Sequence, residues 1–122
     1  MISFEAFVLS GTLPIYLQIV LYVKRGMVAG TICSGDEMPS RRVLSALLGV
    51  NPNTIQKAYR ILEEEGLITS HAGAKSYASI SETQLMQIRR ELLESEARSL
   101  VEAMKQMGIA RQDAVAMIES LW

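Results

Sequence analysis

Gly49 and Gly66 set the tightest limit on what this chain can fold into. Each closes a run whose apolar residues fall at helical spacing, and between the runs there is little besides Val50 and Asn51-Pro52. Asn51 suits a helix cap. Pro52 suits a first helical position, where a missing N-H costs nothing. The first run, Arg41–Leu48, has Ser40 as its cap and is expected to turn Val43, Leu44 and Leu47 inward. In the second, Ile55, Ala58, Tyr59 and Leu62 share one side at 100° per residue, which leaves Asn53, Gln56, Lys57 and Arg60 on the other. Thr54 adds a short polar side chain to the first turn, and Glu63, Glu64 and Glu65 crowd the last one, where they oppose the helix dipole and are read as solvated.

The flanking segments extend this pair. Before it, Pro14 is expected to open a helix of about four turns. Leu17, Val20, Leu21, Lys24, Met27 and Val28 then keep a three-four rhythm until Gly30, and "TICSGDEMPS" reads as a connection with turn chemistry. After Gly66, β-branched and aromatic residues lie on both sides of a small-residue turn, which predicts a two-stranded hairpin over 67–70 and 76–80 with its tip near 72–75. Two helices joined through a glycine turn and followed by a hairpin make a winged helix-turn-helix. The fold class is therefore mainly α with a small β-hairpin, in a chain whose 122 residues allow one compact domain with an appendage. Residues 1–80, with an N-terminal extension at 1–12, are expected to form the winged domain, and residues 81–122 a two-helix segment.

Charge separates the candidate surface from the rest. Residues 39–62 hold Arg41, Arg42, Lys57 and Arg60 and no acid, although the whole chain has a formal net charge of -1. A local basic face matters more to nucleic-acid binding than the overall balance. The N-terminus of the third helix adds free N-H groups for phosphate, and the amides of Asn53 and Gln56 can pair with base edges.

The same residues resemble the GntR family of bacterial transcription regulators. "PIYLQIV", "GDEMPSRR" and "NPNTIQKAYRILEEEGLI" occur in the family's order, and the last is especially similar to its YtrA-like branch. The resemblance spans roughly residues 12 to 80. It implies a dimer on a near-palindromic double-stranded DNA operator, with the third helix in the major groove and the wing at the adjoining minor groove. Ser40 and Arg42 match the family's Pro-Ser-x-Arg element, whose arginine contacts DNA, and Arg41 between them is expected among the DNA-binding residues too. Asn51, Asn53 and Thr54 fall at the start of the recognition helix. Asn53 and Gln56 are expected to choose sequence, and Lys57 and Arg60 to hold the backbone. At the wing, the family's basic-x-Gly-x-Gly-Thr-aromatic pattern is replaced by His71-Ala72-Gly73-Ala74-Lys75-Ser76-Tyr77. Gly73 is left as the turn residue and Lys75 as the phosphate contact. By similarity to the YtrA-like branch, the chain is expected to repress its own operon and neighbouring transporter genes.

Ser81 and Gln84 have capping-box spacing, and a helix of about seven turns follows, carrying Leu92, Leu93, Ala97, Leu100, Val101, Met104 and Met107. A shorter helix over 112–121, starting after Ala110 without a capping side chain, adds Val115 and Ile118. That surface is too wide for one helical pair to bury, which points to a homodimer; packing on the first helix and the N-terminal "ISFEAFVL" is the competing use. Forty residues are too few for a separate sensing domain. A small apolar effector is a further partner class, with Met27, Met86, Met104, Met107 and Met117 as its expected walls.

Other classes have less behind them. No stretch reaches the roughly 18 apolar residues of a membrane span, and the N-terminus lacks a signal-peptide pattern, so a soluble cytoplasmic protein is expected. Cys33 is expected half-buried, and with His71 it cannot build a zinc site, so neither metal nor cofactor is anticipated. Nothing pairs a nucleophile with a base, and no enzyme is expected. The serious alternative is a winged-helix module for protein-protein interaction without specific DNA binding.

Overall fold

The computed structural model describes residues 1–71 and 75–122. The element order is α1 (Ile15–Ala29), α2 (Arg41–Leu48), α3 (Pro52–Glu64), β1 (Ile68–Ser70), β2 (Ser76–Ala78), α4 (Glu82–Gln106) and α5 (Arg111–Leu121). Two compact units result, Met1–Ile88 and Arg89–Trp122.

Local chemistry starts and stops these helices. The Ser40 hydroxyl accepts from the Val43 N-H at 3.1 Å, and the Asn51 side-chain oxygen accepts from the Asn53 N-H at 2.8 Å. Pro52 occupies the first turn of α3. Gly49 and Gly66 take φ of +66° and +73°, the left-handed conformation that ends a helix cheaply only in glycine. Ser81 and Gln84 complete the capping box in both directions, at 2.8 and 3.1 Å. Ala110 caps α5 with no side-chain bond.

The core of the first unit lies between α1, α2, α3 and the hairpin. Ile55, Ala58, Tyr59 and Leu62 of α3 are buried, as expected, with Ile19, Val23 and Met27 of α1, Leu44 of α2 and Ile68 of β1. Four expectations need correction. Pro14 is the residue before α1, with extended ψ of 141°, and not its first position. The buried face of α1 is Gln18, Ile19, Val20, Val23 and Met27, displaced from the expected rhythm because the N-terminal segment covers a second side of the helix. Val43 and Leu47 are exposed; α2 has only two turns and reaches the core along one line, through Leu44. Cys33 is exposed rather than half-buried, in the turn after α1.

The hairpin is shorter than expected, because only three ladder pairs form: Ile68 with Ala78, Thr69 with Tyr77, and Ser70 with Ser76. Gly73 and the tip that it was expected to turn lie outside the described residues. The connection at 35–38 does more than turn. Glu37 bridges Tyr77, the Met38 N-H donates to the Ser76 carbonyl at 2.8 Å, and the Ala78 N-H donates to the Asp36 carbonyl at 2.8 Å, so β2 is paired on both edges.

The extension at 1–12 is packed rather than trailing. Ile2 and Phe4 are buried, Phe4 and Phe7 stack against Tyr22 of α1 at 4.9 and 5.4 Å between ring centres, and the Tyr22 hydroxyl donates to the Ser3 carbonyl at 2.7 Å. Gln18, 8% exposed, clamps the end of the segment: its side-chain oxygen accepts from the Ser10 N-H at 2.8 Å, and its amide donates to the Ser10 and Leu13 carbonyls at 2.8 and 2.7 Å. Buried polar groups left without partners are costly, so Gln18→Ala is expected to lower unfolding stability by about 2 kcal/mol. Urea denaturation at fixed protein concentration checks this.

Candidate nucleic-acid interface

Burial of one side of α3 aims the other at solvent. Asn53, Gln56, Lys57 and Arg60 are exposed on it, and Thr54 is half-buried at its start. The cap bonds of Asn51 and Ser40 use one lone pair each. Their N-H₂ and O-H groups keep the capacity to donate. Arg42 is exposed on α2, and Lys75 is exposed where the hairpin resumes, its carbonyl accepting from the His71 N-H at 2.8 Å. The face therefore combines three amides, several cations and the N-terminus of a 13-residue helix.

Its cations are held differently. The Lys57 ammonium lies 4.0 Å from the centre of the Tyr16 ring, which restrains it without neutralising it. Arg60 meets Glu64 only at 4.0 Å, with both side chains largely exposed, a contact that phosphate could readily replace. Arg41 is committed inward. Its guanidinium is 2.8 Å from Glu63 and 5.1 Å over the Tyr59 ring.

The three glutamates are not simply solvated. Glu63 also accepts from the Ser70 hydroxyl at 2.7 Å, and Glu65 pairs at 2.8 Å with Lys24, whose side chain is only 15% exposed. A pair of acids expected to face water instead ties α3 to α1, α2 and β1. Tyr59 contributes a further tie, donating to the Pro39 carbonyl at 2.5 Å just before the α2 cap. Burial pushes its phenol well above the ordinary range, against the opposing pull of the Arg41 charge, so it remains a neutral donor. Sequence spacing offered no signal for the Arg41-Glu63 and Tyr59-Pro39 links, whose partners are 22 and 20 residues apart.

In the second unit, no residue from 89 to 122 is buried. Leu93, Ala97, Leu100, Val101, Met107, Val115 and Ile118 are exposed, and Leu92 and Met104 half-buried. The methionines expected to wall a ligand cleft do not share one environment: Met27 is in the core beside α3, whereas Met86, Met107 and Met117 are exposed. Grooves of about 330 and 560 Å³ flank the N-terminal segment instead, sharing Ala6, Tyr22 and Arg25. Among the described residues no cluster of His, Cys, Asp or Glu could hold a metal ion, and no helix is long and apolar enough to cross a membrane.

Comparison with known proteins identifies the family. Residues 15–77 match the family described as bacterial regulatory proteins, gntR family. The HTH-type transcriptional repressor YtrA of Bacillus subtilis is 36% identical over 108 residues, covering 88% of this chain and 78% of that protein. A solved GntR family transcriptional regulator from Listeria monocytogenes has a TM-score of 0.81 at 31% identity, covering 92% of this chain and 98% of its own. YtrA from Sulfolobus acidocaldarius, a GntR-family transcription factor, gives 0.56 at 25% identity, covering 93% and 91%. The family and these relatives are transcription regulators rather than enzymes.

Two substitutions test the expected division between phosphate and base contacts. Removing a phosphate contact weakens all duplexes alike and lowers the salt slope by about 1, which is expected of Arg42→Ala. Gln56→Ala is expected instead to narrow the gap between a preferred and an unrelated duplex by about tenfold, the worth of one good base contact. Fluorescence anisotropy across a series of salt concentrations measures both.

Proposed function

Because the chain belongs to the GntR family of bacterial transcription regulators, we propose that it is a dimeric repressor that binds a near-palindromic DNA operator. The observation that carries this reading is the outer face of α3: Asn53, Gln56, Lys57 and Arg60 are exposed together, while Glu63 and Glu65 are turned onto Arg41 and Lys24. In this reading α3 enters the major groove. Asn53 and Gln56 read base edges, Arg42, Lys57 and Arg60 hold phosphates, and Lys75 meets the backbone beside the adjoining minor groove.

Dimerisation through the second unit follows from its exposure. Helices whose apolar residues include Leu93, Leu100, Val101, Met107, Val115 and Ile118 in the open have more to gain from a two-fold partner than from water. A two-fold dimer presents two recognition helices, which is why the operator would be near-palindromic. Likeness to the repressor YtrA supports repression, with the regulator's own operon and neighbouring transporter genes as proposed targets in the bacterial cytoplasm.

The test is selection of duplexes from a randomised library by the purified protein, followed by anisotropy titration of the winner and a scrambled control. A preferred duplex with inverted symmetry and a steep salt slope supports the reading; no duplex bound at low salt contradicts it and favours the protein-interaction module. Leu100→Asp places a charge in the proposed interface, and sedimentation is expected to show a monomer whose helical signal is retained and whose operator affinity falls about 100-fold through loss of linked half-site binding.

A further inference from the structure

One carboxylate oxygen joins three elements of the winged unit. Glu63 Oε1 in the last turn of α3 lies 2.8 Å from Arg41 Nη2 at the start of α2 and accepts from Ser70 Oγ of β1 at 2.7 Å. Ser70 Oγ is in turn 3.2 Å from Ser76 Oγ of β2. Ser70 and Ser76 form the last of the three ladder pairs before the tip, and Ser76 is 4% exposed. The chain Arg41-Glu63-Ser70-Ser76 therefore connects the recognition helix to the rung from which Lys75 emerges. Arg41 itself is held by stacking over Tyr59, and its Nε is buried without a hydrogen-bond partner. A guanidinium in that position is invested in the scaffold rather than offered to a ligand.

We propose that Glu63 is a positioning residue for DNA binding, locking the hairpin to α3 so that Lys75 and the outer face of α3 meet the duplex at a set spacing. Arg41, expected from the sequence to touch DNA, serves in this account as the second anchor of the same lock. The physical reason is preorganisation. The ladder has only three pairs, and although β2 is also bonded to the 36–38 connection, β1 has only β2 beside it; an end rung free to shift must be ordered when it binds, at the expense of affinity. An acceptor shared by a guanidinium and a hydroxyl removes that freedom beforehand. The inference rests on the DNA-binding reading above and adds to it a residue that touches no DNA.

A double-variant cycle tests it with the full chain and the duplex that the wild-type protein selects. Lys75→Ala is expected to weaken binding about tenfold in the wild-type background and less than about twofold in Glu63→Ala, because a loose hairpin no longer delivers the lysine. Glu63→Gln keeps an acceptor for Ser70 and is expected to restore most of the Lys75 effect. Melting of each variant checks folding. Should Glu63→Ala fail to fold, Ser70→Ala severs only the hairpin side of the lock and is expected to give the same non-additivity. Additive losses, or a Lys75→Ala variant that binds like wild type, would overturn the proposal while leaving DNA binding intact. Failure of the wild-type protein to select any duplex would remove the DNA-binding reading and this inference together.

Discussion

Burial of Ile55, Ala58, Tyr59 and Leu62 turns the opposite side of α3 to solvent, and the rest of the winged unit holds it there. Helix α1 supplies Ile19, Val23 and Met27 as the floor, α2 supplies Leu44, and β1 supplies Ile68. The loop before α2 is fixed from α3 itself, through the Tyr59 hydroxyl on Pro39. A recognition surface needs this rigidity, because a helix that rocked in its socket would lose the spacing between amides and cations on which base reading depends.

Charge follows the same geometry. A formal net charge of -1 says little about a surface on which Arg42, Lys57, Arg60 and Lys75 face outward. Two of the three acids that follow that surface in sequence, Glu63 and Glu65, are bonded back to Arg41 and Lys24. Each pairing ties down an inward cation and at the same time removes a negative charge from the field that an approaching phosphate meets. Glu64 is the most exposed of the three and lies one turn beyond Arg60, which it meets at 4.0 Å.

What could be read from the sequence was what neighbouring residues decide. The caps at Ser40, Asn51 and Ser81 act over two or three residues, the glycines act on their own φ, and the buried face of α3 is set by a helical period. Those elements fell where expected, within a residue or two at α1 and α5. Contacts between distant residues were not legible. Gln18 reads as an ordinary polar helix residue until the N-terminal segment folds onto it, and Glu37 as a loop residue until Tyr77 arrives. Val43 and Leu47 were misplaced for a related reason: periodicity says which residues share a side, whereas a two-turn helix touching its neighbour along one line buries only Leu44. The candidate site was legible as a list of side chains. Its division into outward contacts and inward anchors was not, because Arg41 and Arg42 differ only in what lies beside them.

The central claim is that the outer face of α3, with Arg42 and the hairpin base, is the surface that meets DNA. Backbone amide NMR of the labelled protein, free and bound to its selected duplex, tests this most directly. The account predicts that the large shift changes fall on Ser40 to Arg42, on Asn51 to Arg60 and around Lys75, with the exposed helical surface of residues 89–122 unaffected. Changes concentrated on α1, the N-terminal segment or α5, with Asn53 and Gln56 unmoved, would contradict it.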